Sequence, residues 1–396
     1  MKTKIYLDNA ATTPVRPDVL EVMLPYFTDF YGNASSIYNI GKESKKALDT
    51  AREKVATSIG AKPEEIYFTA GGSESDNMAL RGMGETLKGK GKGNHIITTA
   101  IEHHAILHTA EYMEKQGFEV TYLKVDEDGL IDLKELENAI SKNTILISIM
   151  FANNEIGTIQ PIKEIGALAK KHGVLFHTDA VQAVGHVPID VVEMQIDLLS
   201  LSGHKLGAPK GVGALYVKKG LPPITPLIFG GAQEKRKRAG TENVAGVVAL
   251  GEAVALSVKE MPEESKRLIA LRDELIDKLL EIIPYSKLNG HRTERLPGNC
   301  NISYAYIEGE SLLLLLDAIG VAASSGSACT SGALDPSHVL MALGLPHELA
   351  HGSLRLTLDR VNTKADVDFV VEKLPAIVQR LRDMSPLYEE VINKNK

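Results

Sequence analysis

Five short apolar runs, each bounded by a polar cluster or a glycine, are strung between segments of helical periodicity. They read "EEIYFTA", "HIITTA", "TILISIMFA", "GVLFHTDA" and "IDLLSLS". A strand that is apolar on both faces has to be covered on both, and interleaved helices are the usual cover. Leu48, Ala51, Val55 and Ile59 recur at helical spacing, and Gly60 follows as a residue that tolerates left-handed backbone. An α/β protein on a mostly parallel sheet is therefore expected. Near Pro222 and Pro223 the order changes. A long amphipathic helix is expected from about Pro262 to Ile283, followed by strands ("GNCNISY", "GSLRLTL") and helices that suit a smaller α+β unit. A chain of 396 residues can build two cores. The expected division is a large domain over 16–258 and a small one made of 1–15 with 259–396.

Charge and thiols narrow the function. With 51 acidic and 44 basic side chains the formal net charge is −7, which argues against a nucleic-acid or anionic-membrane binder. No window reaches the roughly 20 apolar residues of a membrane helix, and the start, "MKTKIYLDNAATTP", lacks the apolar core of a signal peptide. Two cysteines do not make a disulfide framework, so a cytoplasmic location with reduced thiols is expected. Cys300, in "PGNCNISY", reads as a core strand residue. Cys329 stands in "SSGSACTSG", Ser324–Gly332, where no residue is larger than threonine. A thiol in a segment that packs little and bends readily is placed to move.

In an open parallel sheet the carboxyl ends of the strands form the ligand crevice. Here those ends are followed by Gly71, Gly72 and Ser73; by Glu102 and His103; by Asn153 and Asn154; by Asp179 with Gln182; and by His204 and Lys205. Each has a plainer account taken singly. The glycine turn is an ordinary capped turn, Asp179 a helix N-cap, and Lys205 a solvated lysine. Arg355, on the alternating strand "SLRLTL", would be a surface ion pair. His104 and His108 share a helical face, but no further thiol or carboxylate accompanies them at helical spacing, and no metal is expected. Together the strand ends suit pyridoxal phosphate, which needs an amine, an anion for its ring nitrogen and a phosphate pocket. Lys205, Asp179, and Ser73 with Ser202 and His204 supply these in order, and His103 supplies a flat ring face.

The chain resembles the group I cysteine desulfurases of the NifS/IscS type, which share the fold type I, aspartate aminotransferase-like architecture. The resemblance runs through "YLDNAATTP", "EHHAIL", "NNEIG", "HTDAVQ", "SGHKLGAPKG", "RAGTENV", "SSGSACTSG", "LRLTL" and "SPLYEE". It implies that Lys205 carries pyridoxal phosphate covalently and that Asp179 faces the ring nitrogen. His103 would stack on the ring and move protons, and Asn154 and Gln182 would contact the ring hydroxyl or the substrate. Gly72, Ser73, Ser202 and His204 would hold the phosphate, with Thr241 lent across the interface of a homodimer. Arg355 would anchor the substrate carboxylate.

The reaction implied is L-cysteine to L-alanine, with the sulfur left as a persulfide on Cys329. It would pass to an iron–sulfur cluster scaffold protein or another acceptor, with a cluster linked through Cys329 as a possible stage of transfer. Two departures are small: Ser73 stands where many members have threonine, and "KLGAPKG" lacks a bulkier residue often found there. Aminotransfer would need no thiol, selenocysteine is an alternative substrate, and a non-enzymatic scaffold would need none of Lys205, His103, Arg355 and Cys329 together.

Overall fold

The computed structural model describes residues 5–325 and 336–394. Its main sheet has seven strands, in the order Ile66–Thr69, Gly213–Val217, Leu198–Ser202, Leu175–Asp179, Thr144–Ser148, His95–Thr99 and Glu119–Leu123. Neighbours pair in parallel except at Gly213–Val217, which runs antiparallel to both of its neighbours. Thr144–Ser148 and Leu198–Ser202 are buried along their whole length, which is why they read as continuous apolar runs rather than alternating ones.

All five expected strands are present, and two more complete the sheet. Glu119–Leu123 is an edge strand with an exposed, polar start, so it lacks the apolar run that marks the others. Gly213–Val217 returns antiparallel from Leu198–Ser202 with no crossover helix, which breaks the strand–helix rhythm.

The helix expected to open at Pro262 begins instead at Val244 and runs unbroken to Ile282. Asn243 caps it, accepting from the Gly246 N–H at 3.0 Å. Proline is favoured in a first turn and costly inside a helix, which makes Pro262 a natural but mistaken start signal. Burial on both sides offsets that cost. Ala245, Leu250 and Val254 join the main core, while Leu268, Leu275 and Leu279 join a second one. The second core also takes Ile5 and Leu7, together with alternate residues of the antiparallel strands Asn299–Tyr304 and Ser353–Thr357. The expected division at 258/259 falls inside the helix that both cores share. Cys300 is fully buried in the second core, and burial pushes its thiol up to about 12.

The N-terminal segment ties the two cores together above the sheet. Thr13 N–H and Oγ1 both donate to the His204 carbonyl at 2.9 Å, and the Asn9 amide donates to the Thr357 carbonyl at 2.8 Å. Residues 9–13 thus cross the carboxyl ends of the strands.

Candidate active site

Those strand ends open on a cavity of about 310 Å³, at the lower end of the roughly 300–1,000 Å³ usual for small-molecule sites. One wall is the turn after Ile66–Thr69. Gly71 has φ +153°, and a Cβ on Gly72 would lie 2.6 Å from Val181 Cγ2, so the turn is pressed against the end of the strand Leu175–Asp179. Gly72 opens a helical run that continues through residue 89, and its first amides and positive end favour an anion. Gly72, Ser73, Ser202 and His204 all line this part of the cavity. His204 bonds Thr12 Oγ1 through Nδ1 at 3.1 Å, and burial, ahead of the charge of Lys205, lowers it to about 4.

His103 lines the cavity as the N-cap of the helix His104–Lys115. Its Nδ1 accepts from the Ala105 N–H at 3.1 Å, which leaves the neutral ring's proton on Nε2. Burial first, and Lys205 second, depress it to about 4, so the ring is neutral at physiological pH. The capping role adds to the expectation and explains how the ring is aimed.

Asp179 is both things the sequence allows. One oxygen accepts from the Val181 N–H at 2.9 Å, as a capping residue would, while the carboxyl lines the cavity. Burial raises it to about 6, and the Val181 amide and Lys205 limit the rise. Lys205 ends a short 3₁₀ turn, Gly203–Lys205, directly after its strand. Its Nζ donates to the carbonyls of Ala10 at 2.6 Å and Ala11 at 2.7 Å. Gln182 Nε2 also donates to Ala10, at 3.0 Å.

Arg355 is not a surface ion pair. It is 3 % exposed, donating to the Asn154 carbonyl at 3.0 Å and to Asp8 Oδ1 at 2.9 Å. Among the described residues its Nε has no hydrogen-bond partner. Leu354 and Leu356 face the second core, and the opposite face of the strand is covered as well. Asn154 and Arg355 both line the cavity. Thr241 is exposed and lies outside that lining. Cys329 falls within 326–335, outside the described residues.

Sequence reasoning gave no role to Asp8, Ala10, Ala11 or Asp76. Ala10, Ala11 and Asp76 line the cavity, and Asp8 holds Arg355. For the alanines the contact is made by backbone carbonyls, which leave no signature in side-chain chemistry. The stacked rings of His104 and His108 lie 4.9 Å apart, and among the described residues no group of three or more histidine, cysteine or acidic side chains is arranged to hold a metal.

A family model described as aminotransferase class-V matches residues 5–370. The chain belongs to the class-V aminotransferase family. It is 61 % identical over 383 residues to a cysteine desulfurase IscS of Methanosarcina thermophila, covering 97 % of this chain and 94 % of that protein. A cysteine desulfurase IscS of Clostridium botulinum is 56 % identical over 398 residues, covering 100 % of this chain and 99 % of the relative. Among solved structures, a NifS-like protein superposes with a TM-score of 0.89 at 38 % identity, covering 96 % of this chain and 100 % of that one. A structure described as SspA in complex with cysteine gives a TM-score of 0.80 at 38 % identity, covering 91 % and 100 %. The architecture is that of the fold type I enzymes.

Class-V aminotransferases depend on pyridoxal phosphate, and the cavity's donor set suits that group. Hydroxyls, an imidazole and a helix start suited to a phosphate line the cavity together with an amine, a buried carboxyl and a flat neutral ring. The glycine at 72 keeps clear a cradle that a Cβ would crowd. Ser73, Ser202 and His204 would hold the phosphate, Asp179 the ring nitrogen, His103 the ring face and Lys205 the aldehyde carbon.

Proposed function

We propose that this chain takes the sulfur of L-cysteine onto Cys329 as a persulfide, releases L-alanine and hands the sulfur to an iron–sulfur cluster scaffold or another acceptor. The activity is that of a pyridoxal phosphate-dependent cysteine desulfurase, as named in relatives 61 % and 56 % identical over nearly the whole chain. The observation that carries the persulfide step is where the segment bearing Cys329 is rooted. On its near side Ser324 and Arg355 exchange backbone hydrogen bonds, at 3.2 and 2.7 Å. On its far side Ser337 Oγ bonds the Glu155 carboxyl, and His338 Nε2 lies 3.0 Å from the Glu102 carbonyl. Arg355, and the residues next to Asn154 and His103, therefore hold both ends of the segment.

Each residue then has a task. The guanidinium of Arg355 binds the substrate carboxylate through parallel N–H donors. When bound, the cofactor supplies a ring that withdraws electrons from the substrate's α-carbon. Lys205 moves the α-proton, from a position fixed by the Ala10 and Ala11 carbonyls. Asp179 supplies the anion opposite the ring nitrogen. The neutral His103 keeps its remaining proton on Nε2 and presents it as a hydrogen-bond donor to the departing sulfur. Cys329 attacks as the thiolate. An S–S bond forms as the substrate's C–S bond breaks, and the bonding pair stays with the carbon. That carbon takes up a proton, the equivalent of the one the Cys329 thiol gave up, and becomes alanine's methyl group.

The working unit is a homodimer in which Thr241 reaches the neighbour's phosphate, and the location is the cytoplasm. Among the described residues no helix is long and apolar enough to cross a membrane. Cys329→Ser tests the reading. The variant keeps the colour of the bound cofactor and loses sulfide release from cysteine, while mass spectrometry of the unaltered protein after cysteine addition finds one extra sulfur on Cys329. Sulfide released by the variant at the unaltered rate would overturn it.

A further inference from the structure

Three carboxyls are buried behind and beside the cavity: Asp76 is 1 % exposed, Glu102 0 % and Asp179 7 %. One buried carboxylate needs strong donors or a cation, and several close together cannot all ionise. Their surroundings differ. Asp179 has the Val181 amide and the charge of Lys205. Glu102 Oε1 accepts from Thr99 Oγ1 at 2.8 Å and from the Met150 N–H at 2.9 Å, while Oε2 has no partner among the described residues.

Asp76 is the poorest in donors. It lies on the helix that opens at Gly72 and packs against His177 and Ser200 of two adjoining strands. His177 lies 3.8 Å away, Nε2 to Oδ1, too far for a hydrogen bond. Both its ring nitrogens are taken, Nδ1 by Ser148 Oγ at 2.9 Å and Nε2 by Ser200 Oγ at 3.0 Å. Burial lowers His177 to about 3, so it carries no charge to offer. Among the described residues Asp76 Oδ1 has no hydrogen-bond partner. The Ser200 hydroxyl favours the ionised form, but burial and then the charge of Asp179 oppose it more strongly.

We infer that Asp76 is held as a neutral carboxylic acid and acts as a positioning residue, keeping its proton so that Asp179 is the anion on the cavity wall. The inference rests on the proposed function only for what Asp179 faces; the protonation itself follows from the packing. The three acids ionise in order. Asp179, raised only to about 6, gives up its proton first, and its charge then holds the protons on its neighbours. Glu102, raised to about 8, also stays neutral at pH 7. An ionised Asp76 would place a second negative charge beside Asp179 and favour the protonated form of Asp179, withdrawing the anion from the cavity.

Infrared spectroscopy of the protein at neutral pH, with and without added pyridoxal phosphate, reads the proton directly. The expected result is a protonated-carboxyl band that Asp76→Asn removes. Isotopic labelling of aspartate in the unaltered protein shifts that band and separates it from that of Glu102, so the measurement stands even if the variant does not fold. A spectrum in which no protonated aspartate is present overturns the inference. The amide of Asp76→Asn is neutral and nearly isosteric. The affinity for pyridoxal phosphate is therefore expected to stay within about threefold, and the pH midpoint of the bound cofactor's absorbance to stay in place. A midpoint displaced by about one unit, a tenfold change in equilibrium, also overturns it. Failure of the unaltered protein to bind pyridoxal phosphate would instead count against the proposed function and leave the infrared result intact.

Discussion

The guanidinium of Arg355 is joined to Asp8 at 2.9 Å inside the protein, although 347 residues separate them in the chain. With Asp8 on one nitrogen, the Asn154 carbonyl on another and Nε without a partner among the described residues, Arg355 has both a fixed direction and spare donor capacity. A substrate carboxylate would take up that capacity. Hydrogen bonds to charged groups contribute about 1.5–3 kcal/mol, so Arg355→Ala should raise the KM for cysteine roughly 10- to 150-fold. Cofactor absorbance should be unchanged. Sulfide release measured against cysteine concentration checks this, and an unaltered KM would show that Arg355 does not hold the substrate.

Gly72→Ala should weaken pyridoxal phosphate binding through sterics alone. The added Cβ would sit 2.6 Å from Val181 Cγ2, so the turn or the valine must move. Overpacking of this kind costs about 1–3 kcal/mol, which corresponds to a loss of roughly 5- to 150-fold if it falls on the bound form. Val181→Ala removes the opposing methyl groups. Fluorescence titration of the double variant should show most of the affinity restored, and no recovery would mean that the turn is not the phosphate cradle.

His103 combines a cap with a chemical task, and the two are separable. Asparagine is a good N-cap and accepts the same backbone N–H, but it lacks an imidazole. His103→Asn should therefore keep the thermal midpoint close to that of the unaltered protein while lowering kcat by about 10²–10⁴-fold, the usual worth of a positioned acid or base. Because burial depresses His103 to about 4, no break in the pH profile between 6 and 8 should be assignable to it. A variant that lost stability and activity in proportion would reduce His103 to its cap.

Much of this site is legible in the chain because parallel strands announce themselves. Their continuous apolar runs end where side chains become polar, and those polar residues are the ones that meet at the crevice: Ser73, His103, Asn154, Asp179 and Lys205. What escapes is set by backbone and by distance. The carbonyls of Ala10 and Ala11 hold Lys205 from 195 and 194 residues away, and no local pattern encodes a contact of that span. The antiparallel strand Gly213–Val217 escapes because a hairpin return carries no helix before it. Pro262 misleads because a proline inside a 39-residue helix is tolerated only through burial on either side, which is a tertiary effect. Asp76 looks like an ordinary polar helix residue until the fold buries it.

The buried Glu102 should leave a mark on the pH dependence of stability. Its folded-state value is about 8, raised from 4.5 chiefly by burial. Between those two values the folded chain keeps a proton that the unfolded chain releases, so stability is lost as pH rises, by up to about 1.4 kcal/mol per unit, and the loss levels off above the folded value. Buried histidines act in the opposite sense but at lower pH. His103, His177 and His204, lowered from 6.5 to about 4, 3 and 4, make stability rise with pH up to about 6.5. Their effect fades only about a unit above pH 6.5, and comparing a Glu102 variant with the unaltered protein cancels it. Glu102→Gln keeps a carbonyl oxygen to accept from Thr99 and Met150 but has no proton to lose. Urea midpoints from about pH 6.5 to 8 should fall less steeply in this variant than in the unaltered protein, by the equivalent of roughly 1–2 kcal/mol. Equal slopes would mean that Glu102 is ionised on both sides of folding, and that burial alone does not hold its proton.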